Sequence, residues 1–177
     1  MRRLILLRHA KAAREAGGGD RERPLVKRGR EDAHRLGAWL LAQHYIPNLA
    51  VVSDARRTRE TLENLTASMQ RSFKTLIDPS LYLAEDVALI GEMHKTPDVV
   101  HTMLVVAHNP GIAEFSMRIC GSGDLAARQR MDVKFPTCAC AVVAFDDKPW
   151  SRISWGEGRL DHFVTPSTLH DGLDDAD

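Results

Sequence analysis

Three short apolar runs, each followed by polar residues, constrain what this chain can fold into. They lie at residues 4–7, 49–52 and 101–107. A strand that is apolar without alternation is typical of a parallel sheet with both faces covered. Apolar residues recur at helical spacing between the runs, as at 27–45 and 56–69. The pattern predicts an α/β fold, a three-layer α/β/α sandwich with a mostly parallel central sheet.

The remaining segments complete a single domain. With 177 residues of which 44% are hydrophobic, the chain suits one domain rather than two. We expect this domain to span residues 1–164 and the polar segment 165–177 to be a flexible tail. An exposed loop is predicted at 13–24. The other predicted elements are strands at 75–77, 138–145 and 159–164, and helices at 85–94 and from 111 to about 120.

Composition excludes several classes of protein. Lys plus Arg and Asp plus Glu are equal at 24 each, so neither nucleic acid nor an anionic membrane is an expected partner. The 3 cysteines form no CxxC pair, which argues against a disulfide framework and a zinc site, and we expect no metal and no cofactor. No apolar stretch approaches the ~20 residues of a membrane span, and residues 4–7 are too short for an export signal. A cytoplasmic monomer is expected.

Histidine and arginine side chains follow three of the predicted strands. Arg8 and His9 come after the first strand, Arg56 and Arg57 after the second, and His108 after the strand at 101–107. The carboxyl ends of parallel strands lie on one side of a sheet, so these residues are expected to converge. No carboxylate is interleaved with them, and guanidinium groups match phosphate oxygens in bidentate fashion. The set therefore favours a phosphate site.

A histidine inside such a cluster suggests phosphoryl transfer. Neutral imidazole is a good nucleophile, and its phosphorylation splits one difficult displacement into two easier ones. Neighbouring positive charges favour the neutral imidazole and stabilise the oxygens of the transferring group. An Arg-His pair alone is also typical of a structural strand end.

Six motifs follow one another in order along the chain: Leu6-Leu7-Arg8-His9-Ala10-Lys11, Arg23-Pro24-Leu25 with Arg28-Gly29, Ser53-Asp54-Ala55-Arg56-Arg57-Thr58-Arg59-Glu60-Thr61, Leu81-Tyr82-Leu83-Ala84, Val105-Val106-Ala107-His108-Asn109-Pro110-Gly111, and Lys134-Phe135-Pro136-Thr137. This series resembles the histidine phosphatase superfamily, the phosphoglycerate mutase-like enzymes, and is most similar to its SixA-type phosphohistidine phosphatase branch. The resemblance implies that His9 is the nucleophile and becomes phosphohistidine. It implies that Arg8 and Arg57 clamp the phosphoryl oxygens and that His108 donates to them.

Further residues are expected at the mouth of the site. Asn109 begins the turn into a helix, whose free amides bind anions. Lys11 and Arg28 extend the positive field toward a substrate, although solvated loop charges explain these two equally well. We therefore predict that Asn109, Lys11 and Arg28 bind the substrate.

The general acid is less clearly marked. Many superfamily members carry a glutamate that protonates an alkoxide leaving group, and here only Glu85 and Asp86 lie near the corresponding region. Both residues also suit the first turn of a helix. Imidazole, with a conjugate-acid pKa of about 6.5, leaves without such an acid far more readily than an alkoxide.

These features, together with little length for a lid, predict a metal-independent phosphatase acting in signal transduction. Its expected substrate is phosphohistidine on a phosphotransfer protein. One alternative is a small-molecule phosphate-ester phosphatase with Glu85 as the acid. The other, of a different class, is a non-catalytic phosphate-binding module.

Overall fold

A computed structural model describes residues 1–174 of the chain and the side chains of residues 1–170. The described residues form these strands: β1 (Arg2–Arg8), β2 (Leu49–Ser53), β3 (Lys74–Asp78), β4 (Thr102–Ala107), β5 (Cys120–Gly123), β6 (Cys140–Phe145) and β7 (Gly158–Val164). They also form these helices: α1 (Lys27–Ala42), α2 (Arg56–Met69), α3 (Asp86–Lys95), α4 (Gly111–Ile119), α5 (Leu125–Val133) and α6 (Pro166–Asp174). Short 3₁₀ helices occur at Asp20–Glu22, Pro79–Leu81 and Trp150–Arg152.

The strands form one sheet with the order β3-β2-β4-β1-β6-β7-β5. Strands β1 to β4 pair in parallel, and β5 pairs in parallel with β7. Only β6, among the described strands, runs antiparallel to its neighbours β1 and β7. The predicted α/β architecture with a mostly parallel sheet is confirmed.

Strand β1 shows why an unbroken apolar run was the right signal for the sheet centre. Its side chains alternate between the two faces of the sheet. Leu4 and Leu6 pack into one buried cluster, whereas Ile5 and Leu7 pack into the other. All four are fully buried, so helices on both faces are needed to cover them.

Two elements in the second half of the chain were not predicted. Strand β5 has the sequence Cys-Gly-Ser-Gly and lies at an edge of the sheet, where three of its four residues are exposed. Helix α5 buries only Ala127 and Met131. Neither segment carries enough apolar residues to produce a periodic signal.

The segment after residue 164 also contains structure that was not predicted. Helix α6 covers Pro166–Asp174, and Thr165 accepts a hydrogen bond from the Thr168 amide at 3.2 Å. Leu169 packs against the cluster that contains Ile5. Flexibility of this segment stays a prediction, and residues 175–177 lie outside the described part of the chain.

Two further observations concern residues 1–174. None of their helices combines the length and apolar character that crossing a membrane requires. Residues 1–170, whose side chains are described, contain no group of three or more His, Cys, Asp or Glu side chains placed to hold a metal ion.

Candidate active site

The carboxyl ends of β1, β2 and β4 bring the predicted histidines and arginines together. The ring centroids of His9 and His108 are 5.5 Å apart, and Nη2 of Arg57 lies 3.4 Å from Nδ1 of His108. Thr61 connects β1 to α2, because its hydroxyl accepts from the Ala10 amide at 2.9 Å and donates to the Arg57 carbonyl at 2.6 Å. The histidines and arginines that follow these strands therefore lie together, as their positions at the strand ends predict.

The His9 imidazole has one ring nitrogen whose lone pair is available. Its Nδ1 lies 2.8 Å from the carbonyl oxygen of Ala10, which can only accept, so Nδ1 carries the proton and Nε2 keeps its lone pair. The pKa of His9 is lowered to about 4, mainly by burial; the hydrogen bond to the Ala10 carbonyl opposes this shift, and the positive charges of Arg57, Arg8 and Arg23 contribute to it. The imidazole is therefore neutral at neutral pH.

His108 is neutral as well and is bonded to a hydroxyl. Burial, together with the charges of His9 and Arg57, lowers the pKa of His108 to about 3. Arg57 can only donate to Nδ1 of His108. Without a substrate the ring proton of His108 therefore resides on Nε2, which donates to Oγ of Ser53 at 2.7 Å. A hydroxyl can donate or accept, so Ser53 is compatible with either tautomer of His108.

Arg8 and Arg57 each keep a hydrogen-bond donor unused. Arg57 is 2% exposed, and Nη1 of Arg8 donates to the carbonyl oxygen of Phe135 at 3.0 Å. Among the described residues, the Nε atoms of both arginines are buried without any hydrogen-bond partner. An unsatisfied buried donor costs about 1–3 kcal/mol. Two such donors on cations beside His9 suit an anion that binds between them.

Asp20, which the sequence analysis missed, contacts the cluster from the 13–24 loop. Its carbonyl oxygen accepts from Nη1 of Arg57 at 2.8 Å, and its carboxylate accepts from Nη2 at 3.1 Å. The carboxylate also bonds to the Tyr82 hydroxyl and to Nε of Arg23. The hydrogen bond from Tyr82 is the main cause that lowers the pKa of Asp20 to about 2. The 13–24 loop, predicted as an exposed loop, thus also contacts the cluster and covers part of Arg57.

The predicted substrate-binding residues occupy different places. Asn109 lies beside Arg8, because its Nδ2 donates to the same Phe135 carbonyl at 2.9 Å. Lys11 and Arg28 line a groove next to the histidine cluster. Arg56, set aside in favour of Arg57, pairs instead with Glu60 at 3.1 Å and is half-exposed.

The two acidic residues near α3 have distinct surroundings. Asp86 is buried and forms an ion pair with Arg118, which gives it a structural partner away from the histidines. Glu85 is exposed and precedes α3. The backbone at Glu85 passes close to the turn after His108, since a β-carbon at Gly111 would lie 3.2 Å from its Cα.

Comparison with known proteins identifies relatives over most of the chain. The family model described as histidine phosphatase superfamily (branch 1) matches residues 4–81. An uncharacterised protein of Mycobacterium tuberculosis is 32% identical over 162 residues, covering 90% of this chain and 99% of the relative. Phosphohistidine phosphatase SixA of Escherichia coli is 25% identical over 154 residues, covering 86% of this chain and 91% of the relative. A solved structure of a candidate phosphohistidine phosphatase SixA from Nakamurella multipartitia superposes with a TM-score of 0.80 at 26% identity. The match covers 93% of this chain and 96% of that chain.

Proposed function

The chain belongs to the histidine phosphatase superfamily, and we propose that this phosphatase removes phosphate from phosphohistidine on a phosphotransfer protein, with His9 as the nucleophile. One observation carries the proposal. Arg8 and Arg57 each keep a buried Nε donor without a partner, and their charges act on the neutral imidazole of His9, whose Nε2 is free. Donors that are fixed before the substrate arrives are the main means by which phosphoryl transfer is accelerated.

The reaction proceeds in two displacements. In the first, the substrate imidazole takes a proton from water on its other ring nitrogen, and Nε2 of His9 forms a bond to phosphorus while the P–N bond to that imidazole breaks, so that it leaves as a neutral ring. In the second, a water oxygen attacks phosphorus, the P–N bond to His9 breaks, one proton of this water passes to the hydroxide left by the first step, and inorganic phosphate leaves. Arg8 and Arg57 hold the phosphoryl oxygens through both steps, and His108 joins them as a donor from Nδ1 in the tautomer in which the Ser53 hydroxyl donates to Nε2.

The charges around the site favour an imidazole over an alkoxide as the leaving group. Asp20 is the carboxylate bonded to Arg57, and its pKa of about 2 leaves it without a proton to give at neutral pH. Asp86 is held by Arg118. Phosphohistidine needs little help from an acid, because imidazole is stable once it leaves. The name of the SixA relative agrees with this substrate class.

Trapping the intermediate tests the catalytic role of His9. A ³²P-labelled phosphohistidine protein is mixed with the wild type and quenched in alkali, where phosphohistidine survives. We expect label on the wild type and on a His34→Gln variant, which alters an exposed histidine of α1, but not on His9→Gln. Label on His9→Gln, or no label on any protein, would contradict the mechanism. A phosphorylated intermediate would also exclude the non-catalytic binding module.

Glu85 keeps the ester alternative open, because its backbone passes near the turn after His108. If Glu85 is an acid for esters, Glu85→Gln loses most ester hydrolysis and keeps phosphohistidine hydrolysis, while the exposed control Glu63→Gln on α2 changes neither. Faster turnover of small phosphate esters than of phosphohistidine proteins would overturn the proposed substrate. A place in signal transduction and a cytoplasmic location stay predictions.

A further inference from the structure

A groove of about 480 Å³ adjoins the histidine cluster, and four cations are among the residues that line it. Lys11 lies two residues after His9 and forms one wall. Pro136 forms another, and it follows Phe135, whose carbonyl oxygen binds Arg8. The groove therefore lies next to the site that the proposed function assigns to the phosphoryl group.

The charge of the groove is strongly positive. Its cations come from separate parts of the chain and are Lys11, Arg28, Arg130 and Lys134. None of the four takes part in an ion pair among the described residues. The carboxylate in the lining, Asp32, is paired with Arg35 at 3.5 Å, and burial raises its pKa. Four cations and one carboxylate, which is shared between Arg28 and Arg35, leave the lining with an excess of positive charge.

Helix α6 adds to this field. Its first turn forms part of the lining through Thr165, Ser167 and Thr168. The amino end of a helix carries a partial positive charge that extends over about one turn. The hydroxyls of Thr165 and Thr168 donate within the turn, which leaves the Ser167 hydroxyl as a donor for a carboxylate oxygen.

We propose that this groove, which we call the basic groove, binds an acidic segment of the phosphorylated partner protein beside its phosphohistidine. The inference rests on the proposed function and adds a determinant of partner choice to it. All four cations are exposed, whereas small-molecule sites are enclosed and mostly apolar. Exposed, unpaired cations at the edge of a reaction site are suited to steering and selecting a complementary protein surface.

The test uses two peptides phosphorylated on a central histidine, one with flanking Asp and Glu and one with Asn and Gln at the same positions. The wild type is expected to show a lower KM for the acidic peptide, and added salt is expected to remove the difference. In the double variant Arg130→Gln/Lys134→Gln, KM for the acidic peptide should rise about tenfold, or about threefold per cation. Its kcat, and its rate on free phosphohistidine, should not change.

The double variant Arg71→Gln/Lys74→Gln is the matched control, since it removes two exposed cations near β3 outside the basic groove. Equal KM values for the two peptides, or an unchanged KM in Arg130→Gln/Lys134→Gln, would overturn the inference while the proposed function stands. Absence of hydrolysis of either peptide and of free phosphohistidine would instead refute the proposed function. In that case binding of the unphosphorylated acidic peptide tests the basic groove. The inference requires weaker binding in Arg130→Gln/Lys134→Gln than in the wild type and unchanged binding in Arg71→Gln/Lys74→Gln.

Discussion

Replacing Asp20 by asparagine is expected to strengthen the binding of phosphate-like oxyanions. Both terminal nitrogens of Arg57 are bonded to Asp20, at 2.8 Å through its carbonyl oxygen and at 3.1 Å through its carboxylate. An oxyanion that binds these nitrogens must displace the carboxylate. Asparagine keeps the shape of the side chain but removes the competing charge.

The expected size of the effect follows from the geometry of the ion pair. Unit charges 3.1 Å apart attract by about 5 kcal/mol at an effective dielectric constant of ~20 and by about 1 kcal/mol in water. The Asp20 side chain is 48% exposed, so the smaller figure applies, in agreement with the ~0.2–1 kcal/mol typical of exposed pairs. A gain of about 1 kcal/mol corresponds to about a fivefold lower Kd.

Isothermal titration calorimetry with tungstate, an oxyanion of phosphate-like shape, provides the measurement. Glu22→Gln is the matched control, because Glu22 lies in the same 3₁₀ helix and belongs to no ion pair among the described residues. We expect Asp20→Asn to bind tungstate about fivefold more tightly than Glu22→Gln. Equal or weaker binding would show that the carboxylate holds Arg57 in position rather than competing for it.

Three further predictions concern stability and reactivity. The folded-state pKa values of His9 (about 4) and His108 (about 3) lie below the unfolded value of about 6.5. Between about pH 4 and pH 6.5 the unfolded chain therefore binds more protons than the folded protein. The free energy of unfolding in urea should therefore fall as pH drops from about 6.5 to about 4, by up to about 3 kcal/mol per histidine, and His108→Gln should reduce the slope. Gly111→Ala should lower the melting temperature, because its β-carbon would lie 1.8 Å from a carbonyl oxygen. Gly91→Ala, whose β-carbon would have nothing within 4 Å, should raise the melting temperature slightly. Similar changes of melting temperature in the two variants would contradict the packing argument. The three buried cysteines, whose pKa values are raised by burial, should resist iodoacetamide until the protein is denatured, and labelling of the native protein would refute their burial.

The central part of the fold could be predicted because burial on both sides of the sheet leaves a local mark. Residues of β1 and β4 are buried along nearly the whole strand, and their sequences are correspondingly apolar. Edge strands lack this constraint. Strand β5 is largely exposed and helix α5 is only slightly amphipathic, so the pattern of hydrophobic residues predicted neither element.

The histidine cluster could be predicted to the extent that its residues follow strands. His9 and His108 end parallel neighbours, and parallel pairing fixes them on one side of the sheet. Asp20 gave no such signal. It lies in a glycine-rich loop, and its contacts with Arg57 and Tyr82 join residues 37 and 62 positions apart. Only the folded path of that loop determines these contacts.

The position of β1 between β4 and β6 has a consequence for how activity arises during folding. Leu4 is paired with Met103 on one side and Val143 on the other, so the strand that presents His9 is completed by partners about 100 and 140 residues away. Contacts of high sequence separation form late, because closing long loops costs entropy before any contact repays it. During synthesis His9 is made well before β4 and β6, so its surroundings await strands that are made later. Recovery of phosphoryl transfer after dilution from denaturant would therefore follow closure of the central sheet, and helical signals would return earlier.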